Sequence, residues 1–397
     1  MELIFVGTGV STGIPVMGHF LGGCACDDAI NTPNSKNRRN NVSILLHQKG
    51  AAEDIAKLTP PSDVLHTADY LSGRLALDTN VLIDAGKTFR EAYFNVLVKK
   101  GVCAINALLL THEHADAMQG LDDIRDLQPL GTKDDHHYSP MYYVPTYITE
   151  FTLKSIQQKC DYIISRSRFI NATPTTDAVF GVIDYKGDFD SIPQSKEQHD
   201  AALAKIPMGS HERRATSLDI VLIPEAPKRL YIPSLPFPIY SFPVWHGSNY
   251  VSMAYAFGSG LRFKVGSKWA SENPDAEAPR GDGERSSSII YISDVSGIPD
   301  ESLEFLKAIE HVDILIVDLL LGADTKHFSH YCYDDVIALA ELLNPRECYG
   351  VGMYCVLVHD DTNKDLAASL EGLKAAGKCS NLQKLELAYD GLSLPIQ

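Results

Sequence analysis

The sequence predicts an α/β protein in which sheets lie in the middle and helices lie outside. Two observations support this fold class. Short apolar runs rich in β-branched residues recur along the chain, which is typical of buried strands. Segments with apolar residues at helical spacing lie between some of these runs. Because blocks of strands are interspersed with helices, the pattern favours an α/β sandwich.

The predicted elements follow the chain in order. Strands are expected where the apolar runs are short and bounded by polar or turn-forming residues, in LIFVG (3–7), VSILLH (42–47), VLIDAG (81–86), ALLLTH (107–112), VLI (221–223), IYSFPVWH (239–246), YVSMAYAF (250–257), IIYISDV (289–295), ILIVDLLL (314–321) and LELAYDGLSL (385–394). Helices are expected where apolar residues keep helical spacing, in KTFREAYFNVLVKK (87–100), residues 116–127, DESLEFLKAI (300–309), YDDVIALAELL (333–343) and DLAASLEGLKAA (365–376).

The 397 residues are long enough to bury a sizeable core, and we predict a single domain that spans residues 1–397. Three segments between the predicted elements are interpreted as insertions, near residues 48–74, 186–217 and 267–288. The last of them is low in hydrophobicity and is predicted to be a mobile loop.

Charge and composition disfavour several classes of protein. The formal net charge of −16 repels polyanions at long range, which argues against nucleic acid and anionic membranes as partners. The first residues lack the basic and apolar parts of a signal peptide, and the longest apolar run, interrupted by Asp318, is too short to span a bilayer. Eight cysteines do not resemble a disulfide framework. We therefore expect a cytoplasmic protein with reduced thiols, with the nucleus as an alternative.

The segment THEHAD (111–116) places two histidines and an aspartate directly after an apolar strand. Alternate residues of an extended backbone face the same side, so we expect His112 and His114 to face one ion. Asp116 follows at the start of a predicted helix. Imidazole and carboxylate groups are good ligands for zinc, manganese or iron(II). The alternative interpretation is a helix start capped by Asp116, with two solvated histidines.

Three more predicted strands end near a histidine or an aspartate. These residues are His246 in FPVWHG, Asp294 in IIYISDVSG and Asp84 in VLIDAG. A charged group at the edge of a buried strand is unfavourable unless it is paired or bound to a metal. Each residue alone is equally explained as a turn residue or a helix cap. Taken with THEHAD, four strand ends carry such groups, and one ion can collect them.

The order of these residues resembles that of the metallo-β-lactamase fold superfamily. The N-terminal FVGTGVSTGIPVMG, followed by CAC and NRRNNVSILL, is similar to the branch that contains phosphoribosyl 1,2-cyclic phosphate phosphodiesterase, with ribonuclease Z as a more distant relative. The matching segments run from the first predicted strand to the last and leave out the three insertions. The resemblance implies a four-layer αββα sandwich.

The resemblance also implies a role for each matching residue. A first metal would be bound by His112, His114 and His246. Asp294 would bridge two metals, and Asp116 would bind the second metal or position the nucleophilic water. Asp84 would orient a histidine ligand or the backbone of the histidine loop.

Other positions are assigned by the same resemblance or by their charge. His327 in TKHFSHY matches a histidine that would stabilise charge on a phosphoryl oxygen or protonate the leaving group, the alternative being an exposed loop histidine. Arg38 and Arg39 are candidate phosphate contacts, the alternative being a solvated loop.

The sequence departs from the superfamily pattern at the second metal. Ala117 stands where much of the superfamily has a histidine, and Gly352 stands where another histidine is usual. His359 is close enough in sequence to substitute. We therefore expect one tightly bound zinc (Zn²⁺) or manganese (Mn²⁺) ion, with a second site that is weak or absent. One ion can still activate water and polarise a phosphoryl oxygen.

A second cluster of candidate ligands lies in a glycine-rich loop. Members of the phosphodiesterase branch carry a structural zinc there. Here Cys24, Cys26 and Cys355 match its cysteine or histidine positions, while Ala29 stands where a third nearby cysteine is expected. Three thiolates can bind Zn²⁺ with one further ligand. The alternative is that these residues are free cysteines.

The function we predict is a metal-dependent hydrolase that acts on a small, cyclic or open, phosphodiester. The alternatives are a hydrolase of a thioester or lactone on the same fold, a ribonuclease Z-like nuclease, and a non-catalytic member. The net charge of −16 and the lack of a basic RNA-binding arm argue against the nuclease. The expected partner is a small-molecule phosphodiester, with no membrane and no nucleic acid; a homodimer is left open.

Overall fold

The computed structural model describes residues 1–19, 22–60, 67–134, 137–164, 167–169, 215–248, 250–272 and 287–396. The chain divides into two compact units. The first contains Met1–Ile44 and Glu225–Gln397, and the second contains Leu45–Pro224. The single domain expected from the sequence stays a prediction. Within the described ranges, every helix is too short or too polar to cross a membrane.

The described part of the chain forms strands that we number in chain order. They are β1 (Glu2–Gly7), β2 (Ser43–Gln48), β3 (Thr79–Ile83), β4 (Ala107–Leu109), β5 (Leu130–Asp134), β6 (His137–Pro140), β7 (Val144–Ile148), β8 (Arg168–Phe169), β9 (Leu218–Leu222), β10 (Lys228–Leu230), β11 (Ile239–His246), β12 (Tyr250–Phe257), β13 (Ile289–Ile292), β14 (Ile314–Asp318), β15 (Glu347–Val351), β16 (Lys384–Leu387) and β17 (Ser393–Pro395).

The helices are numbered in the same way. They are α1 (Ala25–Asn31), α2 (Ala52–Ile55), α3 (Thr67–Leu77), α4 (Phe89–Ala92), α5 (Ala115–Met118), α6 (Glu150–Lys159), α7 (Asp161–Ile164), α8 (Lys268–Glu272), α9 (Asp300–Ala308), α10 (Tyr333–Leu343) and α11 (His359–Ala375). Helix α4 continues through a π-helical turn (Tyr93–Leu97) and a 3-10 turn (Val98–Lys100), and a 3-10 segment (Leu121–Leu127) follows α5.

The first unit is built on a mixed sheet with the strand order β10-β11-β12-β13-β14-β15-β16. Strands β10 to β13 pair antiparallel, and β13 to β16 pair parallel. Since β11 and β13 both run antiparallel to β12, the carboxyl ends of β11, β13 and β14 meet at one edge. This edge carries His246, Asp294 and Asp318. In the same unit β1 pairs antiparallel with β17.

The second unit contains parallel strands in the order β3-β4-β7-β9-β8 and a two-stranded sheet of β5 and β6. The core strands are almost continuously apolar, as expected for parallel strands buried on both faces. The carboxyl ends of β3 and β4 lie side by side. Asp84 follows the first of these strands and His112 the second.

Most predicted elements are confirmed, and the differences have local causes. The run at 385–394 is two strands, β16 and β17, because a turn with Gly391 at φ +89° interrupts it. The helix predicted at 365–376 begins six residues earlier, at His359. Strands β5, β6, β7, β8, β10 and β15 were not among the predicted apolar runs. Pro145 interrupts the apolar run of β7, and Gly350 lies within β15. A Cβ at Gly350 would lie 3.0 Å from Leu319 Cδ1, so close packing explains this glycine.

The predicted insertions are only partly covered. The segment at 48–74 contains α2 and the start of α3, and its residues 61–66 lie outside the described residues. In the segment at 186–217, only residues 215–217 belong to the described residues. In the segment at 267–288, residues 273–286 lie outside the described residues. The mobile loop predicted there stays a prediction.

Candidate metal centre

The second unit contributes the two histidines of THEHAD. His112 is buried and His114 is half-buried, and their ring centroids lie 4.6 Å apart at an interplanar angle of 78°. The two imidazoles therefore lie together, as expected from their alternation along an extended backbone. Asp116 is half-buried on α5, two residues further along.

Asp84 orients this histidine pair through Thr111. The Asp84 carboxylate accepts hydrogen bonds from the Thr111 backbone N–H and from Thr111 Oγ1, both at 2.8 Å. Thr111 Oγ1 also lies 2.8 Å from His112 Nδ1. Because the hydroxyl proton points to Asp84, the oxygen accepts from the Nδ1–H of His112. This relay leaves the lone pair on His112 Nε2, the arrangement in which histidine binds a metal.

The segment after Asp84 is fixed against the histidine loop by backbone contact. A Cβ at Gly86 would lie 1.8 Å from the carbonyl oxygen of Asp116, so only glycine fits. The Ala85 N–H donates to the Ala117 carbonyl at 2.8 Å. Ala117, where the superfamily pattern has a histidine, is 2% exposed and packs in the interior. Asp84 itself has φ +64°, a strained conformation that is common at functional sites.

The first unit brings together His246, Asp294 and His330. Each offers one ligand atom, and these atoms lie within 4.8 Å of one another. The rings of His246 and His330 have centroids 5.0 Å apart. Asp294 adopts φ +50°, a second strained aspartate at a strand end. His330 was not predicted from the sequence, although it lies only three residues after the predicted His327.

Both histidines of this cluster have one ring nitrogen already hydrogen-bonded. His330 Nδ1 donates to Asp318 at 2.7 Å, and His246 Nδ1 donates to the Ser329 carbonyl at 2.8 Å. Asp318 is 1% exposed and also accepts from the Val295 N–H at 3.2 Å. Burial raises the pKa of Asp318, and the adjacent His330 opposes that rise. These hydrogen bonds fix the orientation of both imidazole rings.

Gly352 provides the space for Asp318. Its φ is +76°, and a Cβ there would lie 2.4 Å from Asp318 Oδ1. The sequence was interpreted as lacking a histidine ligand at this position. In the structure the absent side chain is what allows the Asp318 carboxylate to lie beside His330.

His327 lies three residues before His330 on the same loop. Its ring centroid is 5.3 Å from that of His330, and its Nδ1 accepts from the Ser329 N–H at 3.4 Å. Desolvation lowers the pKa of His327, and His330 and His246 lower it further. The catalytic role expected for His327 stays a prediction.

Two of the predicted site residues, His359 and Arg39, contact each other. His359 Nδ1 lies 3.0 Å from Arg39, and its Nε2 lies 3.2 Å from Asn363. Arg39 is 2% exposed and donates to Thr8 and to the Ala388 carbonyl. The metal-ligand role of His359 and the phosphate contact of Arg39 stay predictions. Arg38 is exposed, and its contact with phosphate stays a prediction.

Arg39, His359 and Asp390 form a buried polar network. Asp390 accepts from Thr8 Oγ1 at 2.8 Å and from the Asn40 N–H at 2.7 Å. Burial raises the pKa of Asp390 to about 6 and lowers that of Arg39 to about 10. Burial and the Arg39 charge lower the pKa of His359 to about 4.

The cysteine cluster is assembled with a histidine that the sequence did not indicate. His19, Cys24, Cys26 and Cys355 each offer a ligand atom, and these atoms lie within 4.8 Å of one another. His19 Nδ1 lies 3.3 Å from Cys355 Sγ and 3.9 Å from Cys24 Sγ. Burial raises the pKa of Cys26, and raises that of Cys355 to about 12. Three thiols and one imidazole match a closed tetrahedral zinc site, so the residues fit a structural Zn²⁺.

The other two clusters also fit a divalent metal. In them His112, His246 and His330 each have one ring nitrogen engaged by an oxygen acceptor, which is the usual support of metal-bound histidine. Each has a carboxylate within or beside it, Asp294 in the first unit and Asp116 in the second.

Comparisons with known proteins agree on the fold. Residues 79–214 match the β-lactamase superfamily domain. A diphosphatase of the PhnP family is 20% identical with a TM-score of 0.55, over 99% of this chain and 96% of that chain. Zn²⁺-bound PqqB from Methylobacterium extorquens is 12% identical with a TM-score of 0.52, and human tRNase Z, short form, is 12% identical with a TM-score of 0.49, each over 100% of both chains. No curated protein matches the chain.

The chain therefore has an α/β fold of the metallo-β-lactamase type, and within it residues 79–214 are similar to a β-lactamase superfamily domain. The predicted α/β fold class is thereby confirmed. Proteins of this fold bind divalent metals and are mostly metal-dependent hydrolases, which agrees with the histidine-rich clusters.

Proposed function

We propose that this protein is a metal-dependent hydrolase whose substrate is a small phosphodiester. The observation that carries the proposal is the pair of oriented histidine clusters at the strand ends. In one, Asp84 holds His112 through Thr111, and in the other, Asp318 holds His330 directly. Such supported imidazoles are built to bind an ion or to move a proton, and a structural role alone does not require them.

We assign the ligands as the sequence resemblance implies. His112, His114 and His246 would hold one tight ion, Zn²⁺ or Mn²⁺, and Asp294 and Asp116 would provide a weaker second site. A divalent ion supplies Lewis acidity to such a site. Ala117 is buried and Gly352 makes room for Asp318, so the second site has fewer ligands than the superfamily pattern.

The remaining residues orient and move protons. Asp116 orients the attacking water and accepts its proton. His330, fixed by the Asp318 carboxylate, presents Nε2 as the donor to the leaving oxygen, and His327 stabilises the negative charge.

A phosphodiester is favoured over other substrates by the N-terminal motifs and by Arg38. The similar PhnP-family structure is a diphosphatase, which also cleaves a phosphorus–oxygen bond. The reacting group of a thioester or lactone is neutral and gains nothing from a nearby arginine. Unchanged hydrolytic activity in Arg38→Glu would therefore favour those substrates. Transfer RNA is disfavoured by the net charge of −16.

We also propose a structural Zn²⁺ at His19, Cys24, Cys26 and Cys355. The chemistry of this donor set supports it, since a cluster of three thiols and one imidazole matches a common zinc site. Binding would deprotonate the buried thiols and tie the N-terminal loop to the segment after β15.

Hydrolysis of bis(p-nitrophenyl) phosphate by metal-loaded protein tests the proposed function. We expect activity in the wild type on this ester. On a phosphodiester with an alkyl leaving group, which must be protonated as it departs, His330→Asn should lower kcat by about 100-fold or more, the usual contribution of a general acid. The matched control is His311→Asn, which removes a half-buried histidine that lies outside the candidate ligand clusters. An inactive metal-loaded wild type, or an unaffected His330→Asn, would overturn the proposal. Cleavage of a thioester or lactone reporter alone would favour the second hypothesis.

A further inference from the structure

Phe328 is a large apolar side chain that is 81% exposed beside the histidine cluster of the first unit. Its ring lies 4.8 Å from that of His327, centroid to centroid, at an interplanar angle of 34°. His327 lies 5.3 Å from His330, which lies 5.0 Å from His246. The ring of Phe328 is thus the outer end of a continuous row of rings that begins at a candidate metal ligand.

The ring of Phe328 is supported on its inner side. Gly247 has φ +73°, and the position of a Cβ there lies 3.9 Å from Phe328 Cε2. Gly247 is held in turn, because its N–H donates to Ser296 Oγ at 2.9 Å. The loop that bears Phe328 is tied to the same hairpin through the Ser329 carbonyl, which accepts from His246 Nδ1. Phe328 therefore rests on Gly247 and is otherwise mostly exposed to solvent.

Tyr250 is a second exposed ring beside the same histidine. It lies directly opposite His246 in the register of β11 and β12, and it is 41% exposed. Directly opposed residues of an antiparallel pair project from the same face of the sheet. Tyr250 and the candidate ligand therefore share a face.

Single exposed apolar residues are ordinary, but two rings that flank one candidate ligand call for an occupant. A group that lies there must be planar and apolar on its faces, and it must be attached to a phosphate that reaches the histidines. Lys326 is exposed on the same loop and adds a positive charge suited to an anionic ligand. A nucleoside phosphate has each of these properties, since every base presents a π-face that stacks on aromatic side chains.

We propose that Phe328 and Tyr250 form an aromatic platform that stacks the base of a nucleotide substrate. This proposal rests on the proposed function, because it specifies which phosphodiester is the substrate. That substrate is an ester in which one of the two groups is a nucleoside. The histidine cluster of the first unit holds the phosphate, and the platform selects the base face by stacking, without base-specific hydrogen bonds.

Calorimetric binding of adenosine 5′-monophosphate and ribose 5-phosphate to the metal-loaded protein tests the platform. The two probes share a phosphate and a ribose and differ in the base. We expect the wild type to bind the nucleotide at least about tenfold more tightly, the gain of one stacked base. Phe328→Ala should reduce that ratio to near one, and Phe328→Trp should preserve it. The control Phe151→Ala, which removes a ring 52% exposed in the second unit, should leave the ratio unchanged.

Equal binding of the two probes by the wild type would overturn the platform, and so would an equal loss for both probes in Phe328→Ala. Sedimentation velocity of the wild type and of Phe328→Ala gives a second criterion. If the wild type is a dimer and Phe328→Ala is a monomer, the ring contacts a second copy of the chain and the platform is overturned. These measurements need no turnover. If the protein does not hydrolyse the phosphodiester but still binds adenosine 5′-monophosphate more tightly than ribose 5-phosphate, the proposed function is refuted and the platform stands.

Discussion

Replacing Gly352 by alanine tests whether this glycine exists to make room for Asp318. An L-residue at φ +76° costs about 1–2 kcal/mol. The added Cβ would lie 2.4 Å from Asp318 Oδ1, so the buried carboxylate must move. Moving it disturbs the charge-assisted hydrogen bond to His330, which is worth about 1.5–3 kcal/mol. We therefore expect the free energy of unfolding to fall by about 2.5–5 kcal/mol.

The assay is urea unfolding of metal-free protein, followed by circular dichroism and compared at constant m. Gly377→Ala is the matched control, because Gly377 has φ +71° and no heavy atom within 4 Å of its Cβ position. It should lose only the backbone term, about 1–2 kcal/mol. Equal losses in the two variants would refute the assignment of Gly352 as space for Asp318.

Three further predictions concern other parts of the molecule. Asp84→Asn keeps a residue that tolerates the positive φ but removes one acceptor for Thr111. It should weaken metal binding about 10- to 100-fold, measured by competition with a chelator. Unchanged metal affinity would exclude the relay from Asp84 to His112. Folding raises the pKa of Asp390 from its ordinary 3.8 to about 6, so its contribution to stability falls as pH rises between these values. Folding lowers the pKa of His359 from its ordinary 6.5 to about 4, so its contribution to stability rises over that interval. Asp390→Asn removes only the first effect, so its stability relative to wild type should increase from pH 4 to 6, and a pH-independent difference in urea unfolding would contradict this. Cys355→Ser should remove one zinc per chain by elemental analysis, and unchanged zinc content would leave the cysteines free.

The sequence predicted the residues that follow strands, because strand direction and alternation fix where such residues lie. His112 and His114 face each other, and Asp84 acts on this pair, as expected from their positions after buried strands. Asp318 ends an apolar strand in the same way as Asp294, so the same argument would have found it. It was treated only as a break in an apolar run.

Loop residues could not be assigned by that argument. His327 and His330 lie three residues apart in HFSH, and only the backbone path of the loop decides that His330 meets Asp318. His19 joins the cysteines for a similar reason, since it belongs to an irregular loop. His359 was proposed because it lies near Gly352 in sequence, and in the structure it is the first residue of α11 and contacts Arg39.

The most direct test of the central claim is metal content measured together with activity. Wild-type protein and His112→Ala are loaded with Zn²⁺ or Mn²⁺, dialysed, and assayed by elemental analysis and by hydrolysis of bis(p-nitrophenyl) phosphate. We expect the wild type to retain one tightly bound ion beyond the zinc of the cysteine cluster and to hydrolyse the ester. His112→Ala should lose both that ion and the activity. Full occupancy by two ions would contradict the weak second site, and activity that persists in His112→Ala or after removal of that ion would contradict the account as a whole.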